Sequence, residues 1–163
     1  MDTRDVLIVG AGPAGLAAAI AAKKAGLTYQ VIEKGALVNS LLHYPTEMVF
    51  FTTPELMEIG GLPFVSPNDK PSRMEALRYY RRAADTYKLE VVFDTTVNAI
   101  ARQPDAFLVE AEDKWKARRS VRARTVVMAT GSVPVDSARG LDNAPVAWSI
   151  VNATAVLTPA FAA

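Results

Sequence analysis

Gly10-Ala11-Gly12-Pro13-Ala14-Gly15 follows directly on the apolar run Val6-Leu7-Ile8-Val9, and no other stretch of the chain restricts its fold so much. A short apolar run with no polar break marks a strand buried on both faces. Glycine at the first, third and sixth places of the next hexapeptide suits a strand that bends straight into a helix. Gly10 permits the tight turn, Gly12 leaves the main chain bare, and Gly15 lets helix and strand pack closely. The predicted helix starts near Pro13 and is alanine-rich from Leu16 to Ala25, with Lys23 and Lys24 in its last turn and Gly26 as its stop. Thr28 to Glu33 reads as a second strand. The right-handed crossover rule makes the first 33 residues a parallel βαβ unit.

That unit has a chemical meaning. The N-terminus of the helix aims free N–H groups and the positive end of its dipole at whatever lies over the glycines, a natural seat for a pyrophosphate. Glu33, followed by Lys34, closes the second strand 18 residues beyond Gly15. A carboxylate there accepts the two hydroxyls of an unphosphorylated ribose. Together these features predict binding of a small-molecule dinucleotide.

Composition narrows the rest. The 163 residues suit one domain, with 18 Lys plus Arg against 17 Asp plus Glu and a formal charge of +1. No large field draws such a chain to nucleic acid or acidic lipid. With no cysteine and one histidine, the chain has no disulfide scaffold, thiol nucleophile, dithiol redox pair or Cys- or His-rich metal site. Redox chemistry would therefore require a bound cofactor. The start Met1-Asp2-Thr3-Arg4-Asp5 lacks the basic region and long apolar stretch of a secretory signal. The apolar segment Ala144 to Ala163 is interrupted by Pro145, Asn152 and Pro159, so no membrane span and a cytoplasmic location are expected.

Beyond Glu33 the pattern changes. Prolines at 45, 54, 63 and 67 and the Gly60-Gly61 pair predict a loop-rich segment from Lys34 to Lys70. A stretch that long without regular structure suggests a binding segment. Lys70 to Leu89 is predicted helical, with Pro71 in its first turn, Ser72-Arg73-Met74-Glu75 as a capping box, and Leu77, Tyr80, Ala84 and Tyr87 on one face. Short strands are expected at Glu90–Asp94, Thr96–Ala101, Ala106–Ala111, Lys114–Arg119 and Val121–Arg124, with turns at 103–105 and 112–113. Thr125 to Ala129 forms a further apolar strand that ends in Thr130-Gly131. The predicted class is α/β: a Rossmann-like parallel sheet carrying a small antiparallel meander.

The glycine motif in its Gly-Ala-Gly-Pro-Ala-Gly form, with Ala19, Gly26 and the run Val126-Val127-Met128-Ala129-Thr130-Gly131, resembles the FAD-binding half of flavoproteins built from two dinucleotide domains. The segments 31–39, Tyr44-Pro45-Thr46, Phe50-Phe51-Thr52-Thr53, Glu58-Ile59-Gly60 and Lys70-Pro71-Ser72-Arg73 narrow this likeness to the thioredoxin reductase-like family of bacillithiol disulfide reductases. More distantly, the chain is similar to ferredoxin/flavodoxin–NADP reductases of the thioredoxin reductase type. The resemblance spans residues 1–131. It implies FAD as cofactor, NADPH as hydride donor to the complete protein, and a small thiol disulfide or an electron carrier as acceptor, and it leaves a homodimer open. Carried over by motif, the FAD contacts are Gly10, Gly12, Pro13, Ala14 and Gly15 at the pyrophosphate, Glu33 with Lys34 at the ribose, Asn39 and Tyr44 on the flavin side, Val97 near the adenine, and Thr130-Gly131. No acid, base or nucleophile is assigned.

Two departures stand out. Disulfide-reducing relatives often carry cysteine where this chain has Ala14, and the CxxC pair of the thioredoxin reductases is absent. A second glycine motif for NADPH is also missing, and residues 132–163 form a divergent tail expected to be poorly ordered. The expected function is the FAD-binding portion of an NAD(P)H-dependent oxidoreductase, with a non-catalytic dinucleotide-binding remnant as the alternative. His43, in the loop expected to face the flavin, and the basic run Lys114, Lys116, Arg118, Arg119, Arg122 and Arg124 are read without a role. Alternation of that run with Trp115, Ala117, Val121 and Ala123 fits the wet face of a hairpin.

Overall fold

The computed structural model describes residues 2–131 and the backbone of the strands Val146–Val151 and Thr154–Pro159. The expectation for the tail falls largely outside these described residues. In chain order the elements are β1 (Thr3–Val9), α1 (Pro13–Lys24), β2 (Tyr29–Ile32), α2 (Asn39–Leu42), a 3-10 turn (Pro54–Met57), α3 (Arg73–Thr86), β3 (Val91–Val92), β4 (Thr95–Arg102), β5 (Phe107–Asp113), β6 (Arg118–Met128), β7 (Val146–Val151) and β8 (Thr154–Pro159).

One mixed sheet in the order β3-β2-β1-β6-β5-β4 organises the chain. β1 runs parallel to β2 on one side and to β6 on the other, from Thr3 opposite Arg122 to Val9 opposite Met128. β6 also pairs antiparallel with β5 through Phe107–Glu112, and β5 with β4. Beyond the end of β5, β8 takes the same edge of β6 opposite Val126–Met128. The α/β class with a parallel sheet and an antiparallel meander is what the structure has.

The period-two alternation of β1 divides the core. Ile8 faces Leu16, Ala19, Val31, Tyr79, Tyr80 and Val127 on the helical side. Leu7 and Val9 face Ile32, Phe107, Val109, Ala123 and Val126 on the other. Burying Leu7, Ile8, Leu16, Ile20 or Val126 completely contributes roughly 1.5–3 kcal/mol each. The sheet is therefore a rigid base for the loops at its strand ends.

Four details differ from the sequence reading. The strands expected at 114–119, 121–124 and 125–129 are a turn followed by the single strand β6. Asp113 Oδ1 accepts from the N–H groups of Trp115 and Ala117, each at 2.9 Å, which folds residues 114–117 back on themselves. α3 starts at Arg73, because Ser72 is its cap and Pro71 lies outside. Its buried face is Ala76, Tyr79, Tyr80 and Ala83, shifted from the expected one, with Leu77 and Ala84 at its margin. In the basic run Lys114, Lys116, Arg122 and Arg124 pair with Asp94, Glu112, Asp105 and Asp5, but the expected alternation fails in its first half, where Trp115, 75% exposed, and Ala117 stand in solvent like the lysines.

Residues 34–70 contain only α2, the 3-10 turn and two isolated bridges, as their composition predicts. Tyrosines of α3 hold this segment down. Tyr79 Oη accepts from Ile59 N–H at 2.7 Å and donates to the Leu62 carbonyl at 2.7 Å, while Tyr87 Oη donates to the Gly60 carbonyl. Burial raises the Tyr80 phenol to about 12. Among the described residues no helix is long and apolar enough to cross a membrane.

Candidate functional site

A cavity of about 660 Å³ opens where β1, β2 and β6 end, within the range of roughly 300–1,000 Å³ usual for ligand sites. It lies beyond the C-terminal ends of parallel strands, where open α/β sheets bind their ligands. Its floor is the glycine turn. Gly10 adopts φ +106°, a backbone that side chains disfavour, and a Cβ there would strike the Ala129 carbonyl. A Cβ on Gly15 would strike the Gly10 carbonyl, so this glycine serves helix–strand packing and is buried beneath the cavity rather than lining it. Gly12 differs from both: a Cβ there meets nothing within 4 Å and would project into open space. α1 begins at Pro13 with no side-chain cap. The helix opening is thus available to a polar group from outside.

Glu33 joins the turn to the second strand and is only 6% exposed. Its Oε2 accepts from Ala11 N–H at 2.7 Å and its Oε1 from Gly35 N–H at 2.9 Å. Its own N–H donates to Val92 O at 2.8 Å, and its carbonyl accepts from Thr95 N–H at 3.0 Å. Every polar group of this residue is therefore engaged, with β3, β4, the glycine turn or the loop at Gly35. Each carboxylate oxygen still has a lone pair to offer, and Glu33 lines the cavity. Lys34 lies beside it, exposed, at the boundary with a smaller polar groove shared by Asp94, Thr96 and Lys114.

The remaining walls come from three places. Val38 is at φ 47° and donates to Ala11 O at 3.0 Å, which brings the start of α2 against the glycine turn. Asn39 and Tyr44 thereby reach the cavity, and Tyr44 is 40% exposed rather than packed in the core. Val97 lines it from β4, where the pairing register shifts between Val97 and Ala99. Ala129 N–H donates to Val9 O at 2.8 Å, which carries Thr130 and Gly131 past the end of β1 to the opposite lip. The structure thus gathers Gly10, Gly12, Pro13, Ala14, Glu33, Lys34, Asn39, Tyr44, Val97, Thr130 and Gly131 around one space.

Sequence reasoning missed Phe50, Thr95 and Thr96, which also line the cavity. Thr95 is 2% exposed, its Oγ1 donating to Phe93 O at 2.9 Å. Asp94 before it adopts φ 52°, a conformation that Asp tolerates better than most residues. His43 turns out to be a local structural group. Its Nδ1 lies 2.7 Å from the carbonyl oxygen of Asn39, the first residue of α2, and because a carbonyl only accepts, Nδ1 is the donor in this bond.

Comparison with known proteins agrees with this geometry. Bacilliredoxin reductase Bdr of Bacillus subtilis is 48% identical over 81 residues, which is 50% of this chain and 25% of that protein. Soluble pyridine nucleotide transhydrogenase of Marinomonas sp. is 30% identical over 82% of this chain and 32% of its own length. Among solved structures, bacillithiol disulfide reductase Bdr (YpdA) from Bacillus cereus superposes with a TM-score of 0.77 at 38% identity, covering 80% of this chain and 40% of that one. A flavin-containing monooxygenase from Stenotrophomonas maltophilia gives a TM-score of 0.72 at 27% identity, covering 82% and 42%. The chain thus spans a quarter to about two fifths of these relatives. A family model matches residues 7–141, running past Gly131, where the likeness read from the sequence had stopped. On that match, which covers most of its length and the whole of the glycine turn, the chain belongs to the pyridine nucleotide-disulphide oxidoreductase family.

Proposed function

We propose that this chain binds FAD and forms the cofactor-holding portion of an NAD(P)H-dependent flavoprotein oxidoreductase that reduces a disulfide or a small electron carrier. The observation that carries the proposal is the single cavity that joins an open Gly12, the uncapped start of α1 and the Glu33 carboxylate. The residues fit the group. Bare main chain and helix N–H groups suit a pyrophosphate, and free carboxylate lone pairs suit a ribose with both hydroxyls. The cavity continues from there to the aromatic and amide side chains of Tyr44 and Asn39. An unphosphorylated ribose is preferred, because a 2′-phosphate beside Glu33 would meet like charge.

When bound, the flavin supplies the electron-transfer chemistry. This chain's residues supply position: the glycine turn holds the phosphates, Glu33 fixes the ribose, Val97 flanks the adenine, and Asn39, Tyr44, Thr130 and Gly131 bound the flavin end. With no cysteine in the chain, reduction of a disulfide would use no thiol of this chain. NADPH as donor, the acceptor and the oligomeric state belong to the whole protein's proposed activity.

The test is a visible spectrum of the purified chain after incubation with FAD and gel filtration, then anaerobic addition of NADPH. Retained yellow colour supports FAD binding, and bleaching supports turnover. A yellow protein that does not bleach supports a binding unit without its own activity. A protein that retains no flavin contradicts the proposal.

A further inference from the structure

The outer wall of the cavity is held by the first residue of α3. α2 has four residues, too few to sustain itself. Its Leu41 carbonyl takes a 3.3 Å bond from Tyr44 N–H, and Arg73 adds donors to that carbonyl and to the next one. Its Nε donates to the Leu41 carbonyl at 2.9 Å and its Nη2 to the Leu42 carbonyl at 2.8 Å, across 32 and 31 residues of chain. A guanidinium presents its donors in a fixed fork, so two successive carbonyls are fixed in direction as well as distance. A lysine would contribute one compact ammonium with freely rotating donors.

The main chain at the same point holds a second part of the wall. Arg73 N–H donates to Met48 O at 2.9 Å, and Phe50 N–H donates to Pro71 O at 2.9 Å. Leu41 and Phe50 both line the cavity, at the end where Asn39 and Tyr44 also stand. Around these bonds the wall is part buried and part open: Val38 and Leu41 sit in the core, while Leu42, Tyr44, Val49 and Phe51 are exposed. The glycine turn and Glu33 have ties of their own to β2, β3 and β4, through Gly10 N–H to the Ile32 carbonyl and through the Glu33 main chain to Val92 and Thr95. Among the described residues only Val38 N–H links the start of α2 to the Ala11 carbonyl.

We infer that Arg73 is a positioning residue for the flavin end of the site, fixing the α2 wall through the Leu41 and Leu42 carbonyls without itself lining the cavity. The inference rests on the FAD-binding reading and deepens it. It predicts a split between the two ends of the ligand. ADP should need only the glycine turn, Glu33 and the adenine side, whereas FAD should need the α2 wall too.

The experiment compares the unaltered chain with Arg73→Ala and Arg73→Lys for FAD and ADP affinity by calorimetry, and for backbone hydrogen exchange without ligand. In Arg73→Ala the FAD affinity should fall by about tenfold or more while ADP affinity changes less than about twofold. Exchange should accelerate in residues 39–44 and stay unchanged at 10–15. Arg73→Lys should recover part of the FAD affinity, and bound flavin should show an altered visible spectrum in the alanine variant. Equal losses for ADP and FAD, or unchanged exchange at 39–44, would overturn the inference. Failure of the unaltered chain to bind FAD would instead overturn the FAD reading, and the exchange experiment would still decide whether Arg73 holds α2.

Discussion

Glu33 Oε2 accepts a hydrogen bond from the main-chain N–H of Ala11 at 2.7 Å, so the acid at the end of β2 and the turn at the end of β1 form one unit before any ligand arrives. Glu33→Gln should disturb both. An amide can present only one oxygen, so its NH2 would face either the Ala11 or the Gly35 N–H. Leaving one such buried donor unpaired costs about 1–3 kcal/mol. Urea denaturation should show a loss of that size, and FAD titration should show weaker binding. A variant as stable as the parent would remove Glu33 from its organising role.

Gly12 and Gly15 should respond oppositely to an added side chain. Gly12 has an ordinary φ of −76° and open space beyond it, so Gly12→Val should fold with nearly the parent melting temperature yet lose FAD uptake by more than about tenfold. Gly15→Ala forces a methyl into the Gly10 carbonyl and should lower stability by several kcal/mol, in the manner of overpacked cores that lose about 1–3 kcal/mol or more. Thermal denaturation and FAD titration on the two variants measure the contrast.

Glu75 gives the stability a dependence on acid pH. Its carboxylate accepts from Ser72 N–H and Oγ and from Ser66 Oγ, and the Ser72 backbone bond, followed by the two serine hydroxyls, holds its pKa below 4.5. A depressed native pKa means that the contribution is fully present above the unfolded value. It is lost as pH falls through the lower native value. Glu75→Gln should flatten the stability profile below about pH 4.5, and Ser72→Ala should cost about 1 kcal/mol at neutral pH. Denaturation between pH 3 and 7 tests both.

Tyr79→Phe should loosen the 57–62 loop. The phenol both accepts from Ile59 and donates to Leu62, while its ring stacks on Phe64 at 4.4 Å. Phenylalanine keeps the stack and leaves two main-chain groups unpaired, at about 1–3 kcal/mol. Faster hydrogen exchange at 59–62 with a lower midpoint is expected. Unchanged exchange would mean that the stack alone holds the loop.

The βαβ unit and the glycine turn were legible because each local signal has one physical reading: an apolar run, glycines where side chains collide, and an acid at the next strand end. The capping box of α3 was legible for the same reason, being a contact between residues three apart. The length of β6 was not, because its first half pairs with β5 and its second half with β1 and β8. Sequence alternation changes where the partners change, so one strand read as several. Thr95, Phe50 and the Arg73 contacts were hidden because they depend on residues tens of positions apart meeting in space.

Titration of FAD into the isotope-labelled chain, followed by amide chemical shifts, tests the central claim most directly. If the diphosphate lies on the turn between β1 and α1, the largest shifts will fall on residues 10–15, with a second group at 33–34, 95–97 and 130–131. Large shifts confined to the polar groove around Asp94 and Lys114, with residues 10–15 unmoved, would contradict it.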